Sequence, residues 1–466
     1  MTFANLETGS RTYIAQLKVT PNFASAAEAT TRSERKQMAY GAMIDAESTL
    51  KDTLLPKLDA LKANGLVKGW DFAAGTGALI LNVDEAHAAA AFQALQGVSE
   101  LGRIVRNQEV RIDELEQTAT PVAADPTPPT TPPAKTVEWN VAKMGVEKVW
   151  AQGITGAGIT VGIVDTGANV QHEALKAHYR GTQADGTIDN NYNFYDPING
   201  KTEAYDDHNH GSHVAGTSVG GTADHLTGMA PGAKFISAKV FNASGSGDTA
   251  KILKALSWML APTKSDGTGA DPTKAPDLVS NSWGNSNGAA LVYLDAWKAF
   301  EAAGIIPVVA AGNSGPRADT VGSPGSYPQS ITVGATDSND KVASFSSRGP
   351  SKIKDGNGNL IPKPDISAPG VDVISSGKTG NSYVKMSGTS MATPAVSGLI
   401  ALILSKFPTL TGEEVREVLS KSAVDIDAPG YDVNTGFGRV DAVAALAKAQ
   451  ELFGTPPAPT PPAPAA

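Results

Sequence analysis

From Ala395 to Leu404 every residue is small or apolar: Ala-Val-Ser-Gly-Leu-Ile-Ala-Leu-Ile-Leu. A helix without a polar face has no side to turn to water, so this run predicts a helix enclosed in a large core. The residues that lead into it, Gly388-Thr389-Ser390-Met391-Ala392-Thr393-Pro394, form a Gly-introduced turn that presents a serine at the helix mouth. Ser390 there meets the positive end of the helix dipole and backbone N–H groups that lack an intrahelical acceptor. Pro394 is expected in the first turn, where its missing N–H removes no helical bond. An oxyanion could form beside such a hydroxyl. A Ser N-cap on a core helix has the same local pattern, so the rest of the chain must decide.

A nucleophilic serine needs a base, and the base needs an orienting carboxylate. Ile159-Thr160-Val161-Gly162-Ile163-Val164-Asp165 is a β-branched run that ends in an acid. It reads as a buried parallel strand with Asp165 at its carboxyl end, where open α/β sheets place their chemistry. His210-Gly211-Ser212-His213-Val214-Ala215-Gly216-Thr217 follows, a histidine opening a small-residue helix that must pack closely on something. Alone, either histidine or the strand-end Asp would be structural. Together with Ser390 they describe a reaction.

Asp165-Thr166-Gly167, the His210–Thr217 segment and Gly388–Pro394 resemble, in that order, the three signature segments of the subtilisin-like serine proteases. The resemblance runs over about residues 138–450. It is closest to the bacillopeptidase F-like branch, through Val137-Glu138-Trp139-Asn140, Tyr205-Asp206-Asp207 and Asn281-Ser282-Trp283-Gly284. One departure is Ser212, where the family usually has threonine; the hydroxyl is kept. The resemblance implies an α/β fold with a doubly wound, mostly parallel sheet. It also implies a serine endopeptidase with Ser390 as nucleophile, His210 as base and Asp165 as orienting acid. Ile305–Gly315 is another strand run ending in Gly312-Asn313, and by resemblance the Asn313 amide joins the Ser390 N–H in an oxyanion hole. No cofactor is expected for catalysis.

The same resemblance assigns Ser244-Gly245-Ser246-Gly247 and Ser282-Trp283-Gly284 to two strands that clamp an extended substrate by main-chain hydrogen bonds, which implies broad tolerance. Thr320–Pro328 resembles the floor of the primary specificity pocket. Gly322 would leave its base open and uncharged, favouring large apolar residues before the scissile bond; a plain turn glycine is the alternative. Trp283 either shapes that pocket or packs beneath it. The resemblance allows structural calcium, with ligands unknown. Asp206-Asp207 could serve calcium, line the pocket for the second residue before the scissile bond, or form a solvated turn. Asp355-Gly356-Asn357-Gly358-Asn359 starts like a calcium loop, but Leu360 occupies the position that needs glycine, so a polar surface insertion is expected.

With 466 residues, about two domains plus linkers are expected. A net charge of −9 provides no basic patch for nucleic acid, and no stretch of about 20 apolar residues spans a membrane. Cysteine is absent, which excludes disulfides and thiolate metal sites. Residues 1–112 form a separate unit: a strand at Tyr13–Val19, a helix over about 32–63, hairpin strands at 66–72 and 78–83, a helix near 84–96 and a strand around 103–106. This β-α-β-β-α-β order predicts a small ferredoxin-like α+β domain. Placed before a subtilisin-like domain, it resembles that family's propeptide, an intramolecular inhibitor and folding chaperone; a binding or adhesion module is the alternative.

Residues 113–137 are a Pro/Thr-rich linker, with self-cleavage expected between about Asp113 and Thr136. The peptidase domain follows over 138–450, and 451–466 is a Pro/Ala-rich tail. Thr411, with Glu414 three residues on, predicts a capped helix. The expected partners are polypeptide substrates and the chain's own propeptide, with the enzyme acting as a monomer. Met1–Glu7 shows neither the charged start nor the apolar core of a signal peptide. Such a proenzyme is nonetheless expected to be secreted, a cytoplasmic location being the alternative.

Overall fold

The computed structural model describes residues 10–112, 120–121 and 135–454. Most of the expected linker, and the tail from 455 on, lie outside the described residues. The central element is β6 (Thr160–Asp165), whose β-branched residues favour a pleated, buried strand. It pairs in parallel with β7 (Lys234–Lys239) on one side and β9 (Leu278–Asn281) on the other. The sheet continues through β10 (Ile306–Ala310), β11 (Ile331–Thr336) and β12 (Ile366–Pro369), while the two-residue strand Phe194–Tyr195 closes the β7 edge. All seven strands run parallel. The chain moves outward from β6 to β7 and then returns to the other flank, so the order reverses around β6. Crevices at the carboxyl ends of strands beside such a reversal are where open sheets bind ligands.

Helices cover both faces. One carries α3 (His210–Val219) and α6 (Thr389–Lys406), with α8 (Ala442–Phe453) beyond them; Val161 and Ile163 of β6 share their core. On the other, α4 (Thr249–Leu260) and α5 (Leu294–Ala303) pack with Val164, Val279 and Val309. Every residue from Thr389 to Leu404 is buried. By length and composition α6 could cross a membrane, yet here it is the middle of the core. Pro394 departs from expectation, since it is the sixth residue of α6 and therefore removes a helical bond. The orphaned acceptor is the Ser390 carbonyl, four residues back, and Ser282 Oγ donates to it at 2.9 Å. The Thr411 capping box opens α7 (Gly412–Ser422), with Glu414 accepting from the Thr411 N–H at 2.7 Å.

The N-terminal unit consists of β1 (Ser10–Leu17), α1 (Arg32–Ala63), β2 (Gly69–Ala73), β3 (Ala78–Asp84), α2 (Ala88–Gln96) and β4 (Leu101–Arg106). Its antiparallel sheet has the order β2-β3-β1-β4. Period-2 alternation divides the strands between two cores. Tyr13, Ala15, Leu79 and Leu81 pack with Leu54, Leu58 and Leu95 inside the unit, whereas Ile14 and Ile80 join Ala39 and Met43 against α4 and α5. Polar contacts reinforce this docking. Lys36 Nζ donates to the Ala275 carbonyl and to Asp277, both at 2.9 Å, and Arg32 lies 3.3 Å from the same carboxylate. Asn107 Oδ1 and the Gln108 carbonyl accept from the first N–H groups of α4.

Candidate active site

Three elements carry the predicted residues: β6 ends at Asp165, α3 begins at His210, and α6, which shares a core with α3, begins one residue before Ser390. His210 Nδ1 lies 2.7 Å from Asp165 Oδ1, and both side chains are fully buried. The same oxygen accepts from the Thr166 N–H at 2.7 Å; Asp165 Oδ2 has no hydrogen-bond partner among the described residues. Glycine makes this proximity possible. A Cβ on Gly211 would lie 2.1 Å from the Gly167 carbonyl, and one on Gly167, whose φ is +104°, would lie 2.0 Å from the Tyr205 carbonyl. The loop after β6 and the start of α3 are thus in backbone contact.

Ser390 Oγ donates to the Ser282 carbonyl at 3.0 Å. Asn313, in the loop after β10, is held from its acceptor end: Asn313 Oδ1 takes the Thr389 N–H at 3.0 Å and the Thr389 hydroxyl at 2.9 Å. Because these partners are donors, the amide orientation is fixed, with Oδ1 towards Thr389 and the NH2 as its donor end. Met391 N–H goes to the Gly388 carbonyl. With Thr389 and Met391 both engaged, the Ser390 N–H is the donor of this turn with no acceptor among the described residues.

The acids before His210 have protein partners. Asp206 Oδ1 accepts from Thr166 Oγ1 and from the His208 and Asn209 N–H groups. Its Oδ2 accepts from the Ser212 N–H and hydroxyl, so the departure at Ser212 keeps its bond. Asp207 pairs with the buried Lys239 at 2.5 Å, whose Nζ also donates to the Thr166 and Phe241 carbonyls. Asp355 accepts from the Asn357 and Asn359 N–H groups in an exposed turn. These carboxylates meet protein donors, and no group of three or more His, Asp or Glu side chains placed to hold a metal ion occurs among the described residues. His213 is structural: its Nε2 meets the Val373 carbonyl at 3.0 Å, and burial pushes the imidazole down to about 3.

A pocket opens beside Ser390, lined by Ser282, Trp283, Gly284, Asn313 and Gly322 among others. A Cβ on Gly322 would come 2.5 Å from the Asn285 carbonyl, so close backbone packing requires this glycine besides any benefit to the pocket. The Trp283 ring packs edge-to-face on Phe241, Tyr293 and Trp297, with 3% of the residue exposed. Of the two expected clamp strands only one is a strand: β8 (Ser246–Asp248), preceded by a turn in which Ser244 N–H bonds to Asn242. Ser282-Trp283-Gly284 is irregular, tied down through the Asn285–Ser323 bridge that follows it. Against β8 lies β5 (Glu109–Arg111) of the N-terminal unit, antiparallel, with the Ile112 N–H on the Gly245 carbonyl at 3.0 Å. Val110 and Ile112 are buried there, and Arg111 lines the pocket.

Thr389 and Thr166 were not singled out by sequence reasoning. Both are hydroxyl residues adjacent to reactive groups, and their partners are far away in sequence, which leaves no local signal.

The sequence profile of the subtilase family matches residues 156–438 of this chain. The chain is similar to bacillopeptidase F of Bacillus subtilis (strain 168), 40% identical over 328 residues, which are 66% of this chain and 22% of that protein. Serine protease AprX of the same strain is 39% identical over 303 residues, 58% of this chain and 62% of AprX. Subtilisin DY of Bacillus licheniformis is 35% identical over 316 residues, 67% of this chain and all of that protein. The chain thus spans under two thirds of the first two relatives.

Proposed function

The chain belongs to the subtilase family, and on that premise we propose that it is a serine endopeptidase made as a self-processing proenzyme. The observation that supports this reading is the buried 2.7 Å Asp165–His210 pair at the carboxyl end of β6, together with Ser390 and an oriented Asn313 lining one pocket after β10. Substrate binding turns Ser390 Oγ from the Ser282 carbonyl towards His210 Nε2, which takes its proton as Oγ attacks the peptide carbonyl. Asp165 holds Nδ1 protonated and stabilises the imidazolium. The oxyanion receives the Asn313 amide and the Ser390 N–H. His210 then gives its proton to the leaving amine, and water hydrolyses the acyl-enzyme by the same relay. These groups perform every proton transfer, so the reading calls for no cofactor. Main-chain recognition along Ser244–Gly247 and Ser282–Gly284 supports broad tolerance, and the pocket over Gly322 accommodates a large side chain with an apolar stem.

Asn313→Ala is expected to lower kcat by about 10²–10³ while KM changes little, because this donor engages the oxyanion rather than the ground-state carbonyl. Steady-state kinetics on a chromogenic peptide checks it. An equal rise in KM with kcat intact would assign Asn313 to substrate binding instead.

We read residues 1–112 as the inhibitory propeptide. Supporting this, β5 occupies the edge of β8 that an extended substrate would use. Cleavage falls between about Asp113 and Thr136, and activity follows release of the unit. Export is the setting this arrangement suits, since it keeps the protease silent until it has folded. The Lys36–Asp277 contact is the polar anchor of the docked unit. Burial alone would raise the Asp277 carboxylate, but Lys36 and Arg32 outweigh it and hold the group below its ordinary value. A depressed carboxylate stabilises docking above its free value of about 4 and loses that contribution as pH falls further. Retention of the cleaved unit should therefore be level from about pH 8 to 5 and weaken below about 4. Lys36→Met should weaken it by about 3 kcal/mol, about 100-fold in dissociation constant, by leaving a buried charge undercompensated. Size-exclusion of the processed protein reads both.

A further inference from the structure

The pocket beside Ser390 shares a wall with a neighbouring cavity. Three of its lining residues, Ser286, Ser314 and Thr320, also line a second, more open cavity of about 360 Å³. The walls of that cavity carry Arg317 and Lys352, with Asp319 as its one carboxylate. Among the described residues neither cation has an ion-pair partner that would neutralise it. The segment that bears Arg317 is anchored. Asp319 and Thr320 N–H groups bond to the Gly349 and Arg348 carbonyls, and Thr320 Oγ1 donates to the Arg317 carbonyl at 2.8 Å. Lys352 follows Ser351, which is pinned to the Ser326 carbonyl at 2.9 Å. Two positive charges against one negative charge thus line the cavity next to a pocket whose walls, apart from Arg111 of β5, are neutral.

A second observation comes from the strand already in the groove. After β5 and Ile112 the sequence continues Asp113-Glu114-Leu115-Glu116, three carboxylates in four residues. By sequence, then, the stretch that follows the docked strand, in which the expected cut begins, is acidic.

We propose that the cavity extends the primary specificity pocket and selects a side chain ending in a carboxylate, with Arg317 and Lys352 as the specificity-determining residues. This rests on the protease reading and names its substrate class. Gly322 leaves room for the stem of a large side chain; the cations choose its tip. Both are exposed, so the preference is modest and screened by salt.

The test uses the self-matured protein and four peptides that differ only in the residue before the scissile bond: Glu, Gln, Phe and Lys. Glu and Gln have the same shape, so their kcat/KM ratio isolates charge. The expected ratio is about 5 in favour of Glu at low ionic strength, falling towards 1 at about 0.5 M salt. In Arg317→Ser/Lys352→Ser it should fall to about 1 at low salt, and Asp319→Asn should raise it above wild type. Intact mass should place the maturation cut after Asp113, Glu114 or Glu116. A wild-type ratio at or below 1, preference for Lys, or a ratio untouched by the double substitution overturns the proposal. Turnover of none of the four peptides overturns the protease reading, and this one falls with it.

Discussion

Ser390→Ala is expected to remove peptide hydrolysis almost entirely, with kcat/KM down by about 10⁶ as for serine hydrolases that lose their nucleophile. The reason is chemical rather than structural. Without Oγ no acyl-enzyme forms, and the Asp165–His210 pair has no proton to accept. The fold loses little, because Oγ makes one hydrogen bond, to the Ser282 carbonyl, and a neutral bond of that kind is worth about 1 kcal/mol. Intact mass, read side by side with the wild type, adds a second consequence. The wild type should shed a fragment ending between Asp113 and Thr136 while the variant stays whole. If both are trimmed alike, the cut is made by another protease and the self-processing reading fails. If both stay whole and the wild type turns over no peptide, the fold serves as a binding module.

Much of this architecture was legible in the sequence because the signals were local. The β-branched run of β6, the polar-free stretch of α6 and the Thr411–Glu414 capping box each carry their physics within a few residues. The long helix of the N-terminal unit, predicted over about 32–63, spans Arg32–Ala63, with Thr31 and Glu34 forming its own capping box. Pro394 shows where local reasoning ends. A proline so near a helix start suggested a first-turn position, but Thr389 already belongs to the helix, and the carbonyl freed by the proline is taken by Ser282, 108 residues away in sequence. The acids at 206 and 207 failed to speak for the same reason. A carboxylate reads alike whether it meets calcium, substrate or protein donors, and only the fold brings Thr166, Ser212 and Lys239 to them.

The docking of the N-terminal unit lay further beyond the sequence. Lys36 sits in a helix with many cations, and nothing local distinguishes it from a solvated neighbour. Its meeting with Asp277, like that of β5 with β8, is a property of two surfaces at once. Those two contacts divide the work. The strand on β8 covers the proposed substrate groove, whereas the ion pair joins α1 to the bend that leads into β9. On the proposed propeptide reading, a unit held at two separate places would stay bound after the cut, so release would be a second event.

Asp165→Asn is expected to lower kcat by about 10⁴ with the fold intact. Asp165 Oδ1 is bonded on both sides, by His210 Nδ1 and by the Thr166 N–H, each at 2.7 Å. An asparagine could keep its oxygen there and retain both bonds, but it would have no negative charge to meet the imidazolium that forms as Ser390 attacks. Its NH2 would then take the place of Oδ2, a buried position with no hydrogen-bond partner among the described residues. Turning the amide over would instead face its NH2 towards His210 Nδ1 and set donor against donor at Thr166. That arrangement favours the imidazole tautomer with its proton on Nε2, which cannot accept from serine. Either outcome strips the base of its function while KM, set by the groove and the pocket, stays close to wild type. The kinetic split is therefore the diagnostic: kcat falls and KM holds. A loss confined to KM, or a variant within tenfold of wild type in kcat, would mean that Asp165 positions the loop before Gly167 and that another group orients His210.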